Sequence, residues 1–274
     1  MTCAHSQVEA ALDRWLECHW HIHQMEGNYH YPDPFRYALN SYIRALKEIP
    51  QILRMELQNH ADYRTYFQPA IASARSNALI ALLHTKRDFI VHRGMLDVES
   101  KGSVGTTEGR GIKISFGFHV NPTESTPEAY VRFKAHCKSD PTIRSLMGPD
   151  CDSWPMIRRE WKLPELPETE LLEVAVAAWQ TTGTLLSDVL VRLGAELLDS
   201  SLSCRHEPER MKVMEFSQRE FFLEVDGIDI DANNGDRHAN SPQQSSKPVA
   251  LTPRMHRPAT AAFARFRRQV HAGR

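Results

Sequence analysis

The sequence predicts a mainly α protein: a four-helix bundle with a β-hairpin insertion between its third and fourth helices and a disordered C-terminal tail. Three observations carry this. Four segments place apolar residues at three- and four-residue steps, the period of a helix with one buried face. The stretch Ile112–Val120 alternates strictly between apolar and polar residues, as a half-buried strand does. From about residue 226 the chain turns to Asp, Asn, Gln, Ser and Pro, which bury too little apolar surface to offset the entropy of ordering.

The first helix is expected over 6–25, with Val8, Leu12, Trp15, His19 and Ile22 on one face. Gly27-Asn28 and Pro32-Asp33-Pro34 end it. The second covers 33–60, with Phe35, Leu39, Tyr42, Leu46, Ile49 and Leu53 in one stripe. Pro50 lies inside that stripe, so a kink or break is expected there. The third spans 69–93 as one element, apolar nearly all round at residues 78–83, which implies contact on several sides. Gly94 stands where a helix stop is favoured. The fourth, 168–199, opens on Pro167 and two acids, which suit a helix N-terminus.

Between the third and fourth helices, Leu96 and Val98 are the expected hairpin partner of the 112–120 strand, joined to it by the glycine-rich loop 102–111. A short helix follows over 126–137, 138–164 is irregular, and 205–225 is ambiguous between helix and strand. The chain thus divides into a helical domain, 1–225, with 95–165 as its insertion, and a tail, 226–274, whose end carries six arginines and no acid after Leu251.

Composition narrows the function classes. A formal charge of −1 gives the whole molecule no pull on nucleic acid, so such binding needs a local patch. No apolar run is long enough to read as a membrane helix, and no secretory leader is evident. Five scattered cysteines without a Cys-x-x-Cys pair fit reduced thiols in the cytoplasm better than a disulfide or zinc framework. No cofactor is expected.

The sharpest chemical signal is Lys86-Arg87-Asp88-Phe89-Ile90-Val91-His92-Arg93-Gly94. Asp88 and His92 are four apart and share a helix face, so a carboxylate can fix the imidazole tautomer and leave its other nitrogen free for proton transfer. Arg87 offers a planar fork to a phosphate. Arg87 and His92, however, are five apart and point roughly 140° away from each other on a regular helix. They converge only through a bend or by the meeting of two chains. The bland alternative is a surface Arg and His near a helix end.

Four helices with an Arg, a polar residue, three mostly apolar residues and a His near the end of the third resemble the HEPN superfamily, whose motif is an Arg, a short spacer and a His, with Asn, Asp or His commonly after the Arg. Arg87, Asp88 and His92 match it over a helical context of roughly 5–95 and 168–200. The hairpin insertion departs from the plainest form, and Gly94 stands where one subgroup has a Tyr. The resemblance implies a metal-independent endoribonuclease acting on single-stranded RNA as a homodimer. It also implies a toxin or phage-defence effector, with an antitoxin as possible partner. His92 would be the general acid/base on a ribose 2′-hydroxyl, Arg87 would hold the scissile phosphate, and Asp88 would orient the pair. Lys86 and Arg93 are auxiliary phosphate contacts on this view. The alternative is a non-catalytic helical module binding nucleotide, RNA or protein through the same groove.

Other motifs are weaker. His19 and His23 have metal-ligand spacing on one helical face, but His19 lies on the apolar stripe, which favours a core role. The glycine-rich loop lacks the ending of a phosphate loop, and the Asp229–Gly235 stretch misplaces the glycine of a calcium loop. The Arg-rich tail suits RNA, an acidic partner or plain solvation.

Overall fold

The computed structural model describes residues 3–94, 96–108, 111–142, 156–195 and 215–217. These fall into two compact units: a helical one drawn from 3–99 and 160–195, and a mixed one drawn from 100–159 and 215–217. The described chain is mainly helical with a small sheet. The expected tail, 226–274, lies outside the described residues.

In the helical unit a short 3-10 turn leads into α1 (Glu9–Gly27), and α2 is Pro32–Leu57. Helix α1 has no side-chain cap of its own. Glu56, far away in sequence on α2, supplies one: its carboxylate accepts from the amides of Ala10 at 2.8 Å and Ala11 at 3.3 Å. This satisfies two amides that an α-helix leaves unpaired at its start. The predicted α2 stripe of Phe35, Leu39, Tyr42, Leu46, Ile49 and Leu53 is buried throughout. Helix α2 continues through Pro50 instead of breaking. Pro50 is itself buried, so the flanking Leu46, Ile49 and Leu53 gain enough from packing to outweigh the lost amide bond.

The expected third helix is two: α3 (Gln68–Ser76), after one π-helical turn at Tyr63–Phe67, and α4 (Ala78–Arg93). Asn77 divides them. Its backbone is extended, φ −56° and ψ 129°, and its side chain accepts from the amides of Leu79 and Ile80. Asn prefers such a capping role to a helix interior, which an apolar-periodicity argument overlooks.

Trp161 stacks its ring on Phe35 at 4.7 Å and donates its indole N–H to the Tyr29 carbonyl at 2.9 Å. Helix α6 (Leu171–Arg192) is the expected fourth helix and the spine of the unit, buried almost all round and in contact with α1, α3 and α4. By length and composition α6 could also cross a membrane, but its apolar residues are mostly buried inside this unit.

Two tryptophans join α1 to α6. Trp15 and Trp179 stack with ring centroids 4.5 Å apart and planes 6° from parallel. Each indole N–H donates to the other's main-chain carbonyl, at 3.0 and 3.1 Å. The pair needs Gly183, because a Cβ there would lie 2.8 Å from Trp15 Cζ2. Helix α2 adds a buried bond from the Tyr42 hydroxyl to the Ala175 carbonyl at 2.6 Å.

In the mixed unit, β1 (Glu99–Glu108) and β2 (Gly111–His119) form an antiparallel hairpin, and the sheet order is β2-β1-β3-β4. The strand β3 is Met156–Lys162 and β4 is Glu215–Ser217, paired antiparallel. Helix α5 (Thr126–Ser139) begins on a capping box of Ser125 and Glu128. Two expectations are corrected here. The glycine-rich stretch is mostly strand, and Leu96 and Val98 are buried just before it instead of forming it. Gly102 pairs with Phe118 in the ladder, and a Cβ on it would meet that ring at 2.5 Å. The glycine makes room for an aromatic cross-strand neighbour, so it marks a close approach and not a loop.

The 138–164 stretch expected to be irregular contains β3. Its alternation is hidden because Arg159, fully buried, holds a position where a strand normally has an apolar residue. Its guanidinium bonds Ser100 Oγ at 2.9 Å, the Glu124 carbonyl at 2.8 Å and the Thr126 hydroxyl at 3.4 Å, fixing the turn into α5.

Two measurements test the helical unit. Gly183→Ala should destabilise it in chemical denaturation, because overpacking costs about 1–3 kcal/mol whereas the helix-propensity gain is only about 1 kcal/mol. A more stable variant would show that the tryptophan stack tolerates displacement. The second concerns Glu170, which caps α6 from within the core. It accepts from the Tyr29 hydroxyl at 2.8 Å and the Leu172 amide at 2.6 Å, and burial pushes its carboxyl up to about 7. The folded state therefore holds a proton that the unfolded chain, near 4.5, has released. That stability is full below the lower value, falls as pH rises between the two, and is gone above the upper. Between pH 4 and 8 the loss is about 3 kcal/mol. Glu170→Gln should remove that part of the pH dependence in urea titrations, and an unchanged slope would refute the account.

Candidate functional site

Helix α4 carries the predicted cluster. It starts at the Asn77 cap and ends where Gly94, with φ of +108°, donates its amide to the Ile90 carbonyl at 3.2 Å. That backbone region strains any residue with a Cβ, so Gly94 is the helix stop its position predicts. Among the described residues of α4, Ile80, Leu83 and Ile90 are the buried ones. Helix α4 packs against α2, α3 and α6, in keeping with the contact on several sides expected of its apolar run at 78–83. Ala78 and Ala81 are nevertheless exposed, as are Phe89 and Val91 further along.

The site residues divide into those brought together and those kept apart. Asp88 is joined to Arg87, whose Nη1 lies 3.4 Å from Asp88 Oδ1. The same oxygen accepts a much shorter bond, 2.5 Å, from Lys47 on α2. The Lys47 ammonium beside it holds the Asp88 carboxyl below its ordinary range, with Arg87 adding to the effect. Asp88 does not engage His92: among the described residues no hydrogen bond joins them, although their spacing allows one. His92 is exposed at the end of the helix. Lys86 is paired with Glu165 at 2.5 Å, so its charge is answered within the protein. Arg93 is the last residue of α4, and its side chain is not among those described.

Sequence reasoning missed Lys47 and His84. Lys47 also donates to the His84 carbonyl at 3.3 Å, one turn before Asp88. The His84 ring is half-buried, and burial, reinforced by Lys47 and Arg75, lowers its pKa to about 4. It is therefore neutral near pH 7. Its Nε2 and the Nε of Arg87 are buried without a hydrogen-bond partner. Lys47 lies on the polar border of the α2 stripe and carries no local motif. Its role exists only once α2 and α4 pack.

The histidine pair of α1 sits differently from a metal site. His19 stacks on Trp179 at 4.8 Å, and His23 Nδ1 lies 2.7 Å from Glu26 Oε2. Among the described residues no group of three His, Cys, Asp or Glu side chains could hold a metal ion. A depression of about 450 Å³ lies beside Ser6, Glu56 and His60, but the Glu56 carboxylate there is already occupied by the amides of α1.

With this geometry in view, comparison with known proteins is narrow. No curated protein and no solved structure matches the chain. One family model, described as Bacteriophage lambda protein ea47, matches residues 3–214. That span covers well over half of the sequence and includes the whole of α1 to α6 with the α4 cluster, so the chain belongs to the bacteriophage lambda protein ea47 family.

Proposed function

We propose that this chain is a HEPN-like, metal-independent endoribonuclease for single-stranded RNA, with α1, α2, α4 and α6 as its four-helix core and α4 as the catalytic helix. The observation that carries the reading is the disposition of α4: His92 is exposed at its end, and Arg87, on the same helix, meets Asp88 only through one long contact of 3.4 Å while that carboxylate is engaged by Lys47. An exposed imidazole can reach a substrate, and a guanidinium not already paired with a carboxylate can recognise a phosphate.

The chemistry needs only these groups. His92 takes the proton of a ribose 2′-hydroxyl, whose oxygen attacks the adjacent phosphorus. Arg87 stabilises the charge that builds on the phosphoryl oxygens. The bond from phosphorus to the 5′-oxygen breaks and that oxygen receives the proton His92 took up, giving a 2′,3′-cyclic phosphate and a free 5′-hydroxyl. Because Arg87 and His92 of one chain diverge along α4, the working site is composed from two copies, His92 of one facing Arg87 of the other. Toxin or defence-effector roles, an antitoxin partner and a cytoplasmic setting belong to this proposal.

A second reading is supported by the Asp88–Lys47 bond. Since Asp88 is turned to Lys47, His92 lacks the carboxylate that would fix its tautomer. A non-catalytic module that binds RNA or nucleotide through Arg87 fits that arrangement.

Purified protein should cut single-stranded RNA in excess EDTA, leaving cyclic-phosphate and 5′-hydroxyl ends. His92→Ala or Arg87→Ala should lower the rate by at least about a hundredfold with helicity unchanged. Uncut RNA that is still bound would favour the binding module. Equal cutting by the variants would remove both residues from the mechanism.

A further inference from the structure

Asp88 stands between two cations, and the division between them is unequal. Both Lys47 Nζ and Arg87 Nη1 approach the same oxygen, Oδ1. The lysine comes to 2.5 Å, and the guanidinium stays at 3.4 Å, near the outer limit of a hydrogen bond. Arg–carboxylate pairs are frequently bidentate and parallel. Here only the one long contact from Nη1 forms; Arg87 Nε is buried without a partner, and the side chain as a whole is about one-third exposed. Lys47 is itself anchored by the His84 carbonyl, so it stays at the α2–α4 junction.

The charges of the three groups sum to +1, and the carboxylate's charge is drawn to the lysine. Without Lys47, Asp88 and Arg87 would form a neutral pair on the surface of α4. We propose that Lys47 is a positioning residue: as the counter-ion of Asp88, it keeps the Arg87 guanidinium uncompensated and available to an RNA phosphate. This rests on the phosphate-binding role of Arg87 proposed above. Lys47 touches no substrate; its effect passes through Asp88.

The alternative is that Lys47 simply fastens α2 to α4, and a double-variant comparison separates the two. In the full chain, Lys47→Met should weaken binding of a short single-stranded RNA about tenfold, the worth of one charge-assisted phosphate contact. Lys47→Arg, which can still pair with Asp88, should keep most of the affinity. Adding Asp88→Asn to Lys47→Met should restore binding, because the carboxylate that captures Arg87 is gone. A fastening role predicts the opposite: removing both ends of the staple leaves binding at least as poor as removing one. Failure of the double variant to recover therefore overturns the proposal.

An NMR measurement does not depend on RNA. The Arg87 guanidinium Nη–H resonances, titrated with inorganic phosphate, should respond in the wild type and far less in Lys47→Met. Equal responses would overturn the proposal even if the wild type cuts RNA. A response that depends on Lys47, in a protein that leaves RNA whole, would retain the proposal and remove the nuclease.

Discussion

The helical unit depends on the reciprocal tryptophan pair. Trp15 and Trp179 each bury a large aromatic surface, and each finds a carbonyl for its indole N–H on the other's helix. Buried tryptophan is favourable only when that N–H is satisfied, so the two bonds remove the penalty that burial would otherwise carry. The exchange also fixes register. A slide of α1 along α6 breaks both bonds together and drives Trp15 toward atoms that Gly183 now leaves clear. Once α1 and α6 are locked, α2 can place Tyr42 on the Ala175 carbonyl and Glu56 on the start of α1. The position of Lys47 on α2 follows from those contacts.

This ordering explains which parts of the fold were legible in the sequence. The α2 stripe and the α6 spine were, because their burial is set by local periodicity, and periodicity is written in every turn. Asn77 and Arg159 show where that logic stops. Asn77 divides a continuous apolar pattern by capping, which side-chain chemistry decides and hydrophobicity does not register. Arg159 stands at an inward position of β3 because Ser100, Thr126 and neighbouring carbonyls satisfy its donors. Those partners come from distant parts of the chain, so no window around residue 159 reveals them. Gly102 is a third case: its meaning comes from Phe118 across the ladder, whereas alone it reads as a loop residue.

The candidate site was legible to the same extent. Arg87, Asp88 and His92 stand out by residue type and spacing, and the structure sets all three on one helix. Spacing gave Asp88 two candidate partners on its own helix and no hint of a third on another. Lys47 takes Asp88 because the packing of α2 on α4 brings its ammonium within 2.5 Å of the carboxylate. The local pattern thus identified the participants, and the tertiary packing of α2 on α4 decided which of them pair.

The way α4 is held bears on what it can do. Among its described residues three are buried: Ile80, Leu83 and Ile90. Much of the remaining attachment is polar, through Lys47 to Asp88 and Lys86 to Glu165, with acids that are largely exposed. Exposed ion pairs are screened by salt and contribute little net stability, so α4 is fastened far less firmly than α6. Elements that bind and release ligands are drawn from the weakly held end of a structure, because rearrangement there does not disturb the core. On the proposed reading, a phosphate at Arg87 would compete with Asp88 for a contact already at its outer limit. The residues proposed as the site thus stand on a helix held in part by exposed ion pairs, whereas α1 and α6 are joined by the buried tryptophan pair.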